Sequence, residues 1–139
     1  KEIKPLVRVT YHRPQKKGRK VFGELLKFGE EWRVGANEST VMRLFQPANV
    51  GGKDVAAGNY NVYAVVHENE WEIILNTDMP AWGVANRDKE KDVATFKVPT
   101  SQDAEDLEAM GIIFEEQPDK SVHMVIGWET TRAAIPIKF

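Results

Sequence analysis

Apolar and polar residues alternate along most of this chain with the period of two that is typical of half-buried β-strands. The clearest runs cover residues 59–66 and 92–98. A polar break at 67–70 separates the first run from the apolar segment 71–76, which predicts a β-hairpin. Glycine and proline recur between the runs at near-regular spacing, so the pattern indicates short strands connected by turns.

Similar runs predict strands in the rest of the chain: 6–11, 40–45, about 110–115, 122–128 and 132–139. Pro136 is expected to place the last strand at an edge of its sheet. Residues 12–20 contain Pro14 and Gly18 among basic side chains, which favours a loop. The segment 103–110 has helix-favouring residues but runs into a strand, so we expect a helical turn or loop there.

Eight or nine short strands with little helix predict a mainly β fold, a single-domain antiparallel β-sandwich over residues 1–139. A length of 139 residues suits one domain, and 42% hydrophobic residues are ordinary for a globular chain. The sequence contains neither a signal peptide nor an apolar run of membrane-spanning length. Because the first residue is lysine rather than methionine, an N-terminal export signal is expected to be absent from this chain.

Charge is distributed unevenly, although the formal net charge is only −2. Residues 1–20 carry eight lysines and arginines against one glutamate, and much of the compensating acidic charge lies in 103–119. We expect these two patches to balance each other within one fold. A sequence pI of about 6.0 also lies far below that of a typical nucleic-acid-binding domain, so no nucleic-acid partner is predicted.

Several kinds of chemistry have no support in the sequence. The chain has no cysteine, which excludes disulfides, thiolate zinc sites and thiol nucleophiles. Its three histidines, His12, His67 and His123, lie in different predicted elements, so no metal site is predicted. There is no glycine-rich phosphate loop and no Gly-x-Ser-x-Gly nucleophile turn, and we therefore expect no cofactor.

The densest set of polar side chains lies in residues 32–40, where Trp32, Arg33, Asn37 and Glu38 surround a Gly-Ala bend. Glycine and asparagine tolerate left-handed backbone, so the segment can fold back and bring Arg33 into direct or one-water contact with Glu38. One interpretation is a structural ion pair that fixes the bend. The other is a binding site in which Arg33 and Asn37 donate hydrogen bonds to a ligand while Glu38 orients them.

A second cluster lies in the predicted loop near the N-terminus and comprises Tyr11, Arg13, Lys17 and Arg19. If the loop covers one end of the sandwich, Arg13 and Lys17 can form an anion site; the alternative is a solvated basic loop. Aromatic residues make glycan binding a further possibility, because exposed tryptophans stack on sugar rings. Packing in the core is nevertheless the more frequent role of tryptophans placed like Trp71 and Trp82.

Six short motifs resemble those of a bacterial family known only as domain of unknown function 2911 (DUF2911). They are Tyr11-x-Arg-Pro14, Lys17-Gly-Arg-x-Val-Phe-Gly23, Trp32-Arg-x-Gly-Ala-Asn-Glu-x-Thr40, Ala57-Gly-x-Tyr60, Trp71-x-Ile-x-Leu-Asn76, and Trp128-Glu129 with its following threonine. The resemblance covers nearly the whole chain and implies an exported bacterial protein of the periplasm, cell surface or medium. It implies no activity. Val34 stands where members commonly carry threonine, and Phe28 where tyrosine is usual.

These observations together predict an exported domain that binds a small polar or anionic ligand, or a glycan, through residues 11–19 and 32–40. One alternative is a small hydrolase in which Glu38 is the general base and Arg33 stabilises developing negative charge. Another is a structural or protein-interaction module without a small-molecule site. The first two require the 32–40 segment to lie in an open concavity, whereas the third requires it to be closed.

Overall fold

The computed structural model describes residues 4–36, 38–78 and 87–139, which contain nine β-strands. The strands are β1 (Val7–Thr10), β2 (Glu31–Trp32), β3 (Thr40–Leu44), β4 (Ala48–Val50), β5 (Lys53–Val55), β6 (Gly58–Val66), β7 (Glu70–Asn76), β8 (Asp92–Glu116) and β9 (Val122–Lys138). Helix is confined, within those ranges, to one 3-10 turn at Lys89–Lys91. The predicted mainly β class is confirmed, with 61% strand and 2% helix.

All strands pair antiparallel in the order β1-β3-β6-β7-β8-β9-β4-β5, and β2 pairs separately with β6. The long strand β8 links two layers, because its first part pairs with β7 and its remainder pairs with β9. The layers face each other: Trp32 on β2 stacks on Trp128 on β9, with ring centroids 6.0 Å apart. The sheet therefore folds over on itself at β8 and encloses its core as the predicted sandwich does.

One hydrophobic cluster fills the space between the layers, and side chains of the predicted alternating runs supply much of it. In β8, for example, Ala94, Phe96 and Val98 are buried while the residues between them are exposed. Four aromatic rings form the centre of the cluster: Phe22, Trp32, Trp71 and Trp128. Trp71 is fully buried and thus has the predicted core role, whereas Trp82 lies outside the described residues.

The helical turn or loop expected at 103–110 is wrong, because this segment belongs to β8. The ladder with β9 shifts register twice there, once on either side of Leu107. Residues 108–110 instead bond to the N-terminal loop, through Lys16 N–H to Glu108 O at 2.9 Å and Met110 N–H to Pro14 O at 3.0 Å. These bonds join residues distant in sequence, and such partners decide strand formation more than local propensity does.

The expectation that Pro136 marks an edge strand is also wrong, since β9 lies between β8 and β4. Proline is accommodated there for a different reason. The ladder with β8 ends at Ala133, and the ladder with β4 begins only at Ile137. Pro136 therefore falls between two ladders, at a position where no strand-to-strand bond requires its missing N–H group.

The basic N-terminal loop lies against the acidic part of β8, as the charge distribution predicts. Lys16 Nζ is 2.8 Å from a carboxylate oxygen of Asp106, and the backbone N–H of Lys17 donates to the Glu108 carboxylate at 2.9 Å. The hydrogen bond that Lys16 donates to the Asp106 carboxylate raises the pKa of the Lys16 ammonium. No helix in the described part of the chain has the length and apolar composition needed to cross a membrane.

Candidate ligand-binding cleft

A cleft of about 330 Å³ opens between the 25–36 segment, the N-terminal loop and strand β9. This volume lies at the lower end of the range of small-molecule sites. The cleft is lined by Pro14, Arg19, Leu25, Leu26, Lys27, Glu30, Glu31, Trp32, Arg33, Gly35, Ala36 and Trp128. Both segments that the sequence singled out, 11–19 and 32–40, therefore contribute to one concave surface.

The bend after β2 folds back on itself as predicted. The Thr40 N–H donates to Arg33 O at 3.1 Å, the Thr40 hydroxyl donates to Val34 O, and the Trp32 indole N–H donates to Gly35 O at 3.3 Å. Val34 adopts a φ of 54°, which is a costly conformation for a β-branched residue. The hydrogen bonds and the complete burial of Val34 hold the bend in this strained form.

Arg33 is the half-buried cation of the cleft. Its Nε atom is inaccessible to solvent and finds no hydrogen-bond partner among the described residues. An unpaired buried donor costs about 1–3 kcal/mol, so most buried polar groups in folded proteins are paired. Arg33 thus retains hydrogen-bonding capacity that the described residues around it do not use.

Among the described lining residues, two other cations and one carboxylate without an ion pair lie at the rim of the cleft. They are Arg19, Lys27 and Glu30. Arg19 is exposed, but its Nε donates to Lys16 O and its Nη2 donates to Gln15 O, both at 2.8 Å. These bonds fix the position of its charge while leaving part of the guanidinium accessible. Lys27 and Glu30 are both exposed and complete the charged rim.

Glu31 also lines the cleft, but its charge is committed to a partly buried network. Arg87 Nη2 lies 2.6 Å from the Glu31 carboxylate and its Nη1 bonds to Asp92, while only 4% of the Arg87 side chain is exposed. Burial lowers the pKa of Arg87, but the hydrogen bonds and charges of Asp92 and Glu31 outweigh burial and raise its pKa overall. The unpaired charges of the cleft are therefore mainly positive.

A family model described as "Protein of unknown function (DUF2911)" matches residues 3–137 of the chain. The chain belongs to the DUF2911 family. No curated protein and no solved structure matches it at a significant level. Four of the DUF2911 motifs meet in the cleft, because the 11–14 motif supplies Pro14, the 17–23 motif supplies Arg19, the 32–40 motif supplies Trp32 and Arg33, and the last motif supplies Trp128.

The two positions that the sequence predicted to depart from the DUF2911 motifs are Val34 and Phe28. The Val34 side chain is fully buried. Phe28 is 47% exposed and is not among the described residues that line the cleft.

Three predicted site residues lie elsewhere and fasten the N-terminal loop to β8. The Tyr11 hydroxyl accepts from Ile112 N–H at 3.2 Å and lies 3.4 Å from Ile112 O. Arg13 Nε donates to Met110 O at 2.7 Å, and exposed Lys17 is held through its backbone N–H. Within the predicted 11–19 site, the cleft therefore receives Pro14 and Arg19 rather than Tyr11, Arg13 or Lys17.

The 32–40 segment is only partly assembled as predicted. Glu38 is exposed, is not among the described residues that line the cleft, and makes no ion pair or hydrogen bond with Arg33 in the described structure. Asn37 lies outside the described residues. A hydrolase built on Glu38 and Arg33 therefore lacks a direct contact between its two groups.

Sequence reasoning missed the contributions of Lys27, Glu30 and Glu31, which precede or begin strand β2. The only hint in the sequence is that these residues lie shortly before Trp32. No residue close to them in the sequence indicates that Glu31 pairs with Arg87.

The structure also bears on metal binding. No group of three or more histidine, aspartate or glutamate side chains in the described ranges is arranged to hold an ion.

Replacing Glu38 with alanine should change the free energy of unfolding by less than about 1 kcal/mol, because an exposed carboxylate without an ion partner contributes little. Glu31→Ala is the matched variant and should cost about 2 kcal/mol, since it leaves buried Arg87 with a single carboxylate partner. Urea denaturation of both variants measures the difference. If Glu38→Ala lowers the free energy of unfolding as much as Glu31→Ala does, Glu38 is not the unpaired exposed residue described here.

Proposed function

We propose that this DUF2911 domain binds a small anionic ligand, a carboxylate or phosphate compound, in the cleft beside Trp32. The observation that carries the proposal is Arg33, whose buried Nε has no partner among the described residues and whose side chain lines the cleft. Guanidinium groups suit such ligands, because their planar N–H groups match the geometry of carboxylate and phosphate oxygens.

The distribution of charge in the cleft favours an anion over a neutral ligand. Arg19, Lys27 and Arg33 stand against the one uncommitted carboxylate of Glu30, because Glu31 is paired with Arg87. The aromatic walls contribute little open surface for stacking, since Trp32 is 7% exposed and Trp128 only 1%. These features support recognition by charge and hydrogen bonds rather than stacking of a sugar ring.

The resemblance to exported family members supports a second proposal, that the domain functions in the periplasm, at the cell surface or in the medium. Fractionation of the native host, followed by immunodetection of this protein, tests the location. Detection only in the cytoplasmic fraction would refute it, without bearing on the anion proposal.

Substitution of Arg33 by glutamine should weaken binding of the anion about tenfold or more, because a charge-assisted hydrogen bond contributes about 1.5–3 kcal/mol. A thermal-shift screen of sugars, organic acids, phosphates and apolar compounds supplies the ligand, and calorimetric titration gives the affinities. Arg43→Gln is the matched control, since Arg43 is an exposed arginine on β3 outside the cleft lining. The Arg43→Gln variant should bind the anion with unchanged affinity.

Affinity for the anion should also fall as ionic strength rises, because salt screens the charges at the cleft rim. Equal affinities of wild type, Arg33→Gln and Arg43→Gln would place the binding site elsewhere. Stabilisation by apolar compounds alone, with no response to any organic acid or phosphate, would refute the anion proposal.

A further inference from the structure

A second pocket of about 240 Å³ shares no lining residue with the cleft, although the 17–23 motif and the last family motif contribute residues to both. It forms where the 20–28 segment, the turn between β6 and β7, and the bulged part of the β8–β9 ladder meet. Its volume is below the range of sites for drug-sized molecules, so a ligand of about one ring fits it.

Trp71 lines this pocket and carries an indole donor. The residue is fully buried and its ring packs against Phe22, with centroids 5.7 Å apart. The indole Nε1 nevertheless has no hydrogen-bond partner among the described residues. Buried tryptophan N–H groups are usually paired, so this donor is a candidate partner for an acceptor atom on a ligand.

Phe28 supplies an aromatic face to the same pocket. Phe28 is 47% exposed and lines the pocket. Gly23 leaves room for the ring, because a Cβ atom at position 23 would stand only 3.1 Å from the ring edge. An accessible ring beside a glycine is suited to pack against the apolar face of another ring.

The remaining wall is polar and mixes donors with acceptors. The Thr130 hydroxyl donates to the Gln102 side-chain oxygen at 2.7 Å, and the Gln102 amide donates to the Thr131 hydroxyl at 3.3 Å. His67, on the turn before β7, faces the pocket from the other side. Hydroxyl and amide groups can both donate and accept, which matches a ligand whose own hydroxyls do the same.

The pocket has no excess of positive charge. Lys20 stands against Glu68 and Glu129, and the Glu129 carboxylate accepts the Val21 N–H at 2.7 Å. This arrangement differs from that of the cleft, where cations predominate, and it gives an anion no advantage. An aromatic face, an indole donor without a partner among the described residues, and a wall of hydroxyl and amide groups without an excess of cations together suit a neutral sugar ring.

We propose that this pocket binds a neutral sugar ring, either as a free monosaccharide or as the terminal unit of a glycan. The proposal is independent of the anion site, because the two sites have different lining residues and different ligand chemistry. A domain with both sites holds a sugar and an anion at separate positions around the same aromatic core.

The indole N–H signals of the tryptophans in a ¹H–¹⁵N spectrum provide a direct test. The probes are D-glucose, D-galactose, D-mannose and N-acetyl-D-glucosamine as single rings and maltotriose and chitotriose as short glycans, with citrate and cyclohexanol as anionic and apolar controls. We expect at least one sugar to shift the Trp71 signal, which is assigned by its loss in Trp71→Phe. The Trp128 indole, which donates to Glu108 O at 3.0 Å, serves as the internal reference.

Phe28→Ala should weaken sugar binding about tenfold, since it removes the aromatic face without disturbing the core. Phe114→Ala is the matched control, because Phe114 is also an exposed phenylalanine, at 39%, and lies outside the pocket lining. Response to single rings identifies a free sugar as the ligand, and response to trisaccharides alone identifies a glycan end.

Three results would overturn the proposal. The first is a Trp71 signal that no sugar shifts in a titration carried well past the millimolar range. The second is a signal that shifts with citrate or cyclohexanol but with none of the sugars. The third is equal sugar affinity in Phe28→Ala and wild type.

Discussion

Trp128→Ala should lower the free energy of unfolding by about 4 kcal/mol, the largest loss expected from a single substitution at this site. Trp128 is 1% exposed, stacks on Trp32 and meets Phe22 edge to face at 6.4 Å. Its indole N–H also donates to Glu108 O at 3.0 Å. The substitution therefore opens a cavity between the two layers and removes a bond that ties β9 to the bulged part of β8.

Because the stability of a domain is typically about 5–15 kcal/mol, Trp128→Ala should remove between about a quarter and four fifths of the stability of this one. Urea denaturation followed by circular dichroism measures the loss. Trp128→Phe keeps an aromatic ring in the core and should lose about half as much, whereas exposed Phe114→Ala should stay within about 0.5 kcal/mol of wild type. A loss below about 1 kcal/mol for Trp128→Ala would show that Trp128 does not join the layers as described.

Arg87→Ala should cost about 3 kcal/mol, because it leaves the carboxylates of Glu31 and Asp92 without their shared cation. The Arg87 side chain is 4% exposed, while Glu31 and Asp92 are 27% and 24% exposed. Water can still reach the two carboxylates, so we expect a loss at the lower end of the range for broken buried pairs. The Arg87 guanidinium also lies 5.7 Å from the centre of the Tyr63 ring, and that contact is lost as well.

Lys91→Ala is the matched control for Arg87→Ala. Lys91 pairs with Asp78 at 3.7 Å, but its side chain is 53% exposed, so its removal should cost less than about 1 kcal/mol. The triple variant Arg87→Met, Glu31→Gln, Asp92→Asn should recover much of the loss, because it removes the stranded charges along with their partner. If the triple variant is as unstable as Arg87→Ala, packing of the Arg87 side chain rather than its charge is the cause.

The sequence predicted the strands whose burial alternates and whose partners are near in the chain. The β6–β7 hairpin is an example: the polar residues 67–70 separate two apolar runs, and Val66 pairs with Trp71 as the pattern indicates. The strand at 92–98 follows from the same local signals. In these places local composition and tertiary structure agree.

The segment 103–110 could not be predicted in this way, because its state depends on residues about one hundred positions away. Its composition favours helix, yet Glu108 and Met110 bond to the N-terminal loop, and Glu108 O accepts from both Lys16 N–H and the Trp128 indole. No window of adjacent residues contains that information. The strand assignment therefore rests on tertiary contacts that override local propensity.

The two segments predicted to form a site differ in how far the local sequence could place their side chains. The fold-back of the 32–40 bend is local, and the position of Arg33 at the cleft follows from it. The roles of Tyr11 and Arg13 are not local, because both are decided by backbone groups of β8. The sequence thus indicated two segments that both contribute to the cleft, but only the docking of the N-terminal loop separates the residues that face the cleft from those that anchor the loop.

The order of the strands has a consequence for how the chain folds during its synthesis. Strands β1, β2, β3, β6 and β7 find partners within the N-terminal half, but strand β4 also pairs with Ile137 and Lys138, and the loop at 14–16 pairs with 108–110. Long loops must close before the second kind of contact forms, which slows folding. One side of β4 and the 14–16 loop therefore leave the ribosome before their partners have been made, and unpaired strand edges at that stage are open to aggregation.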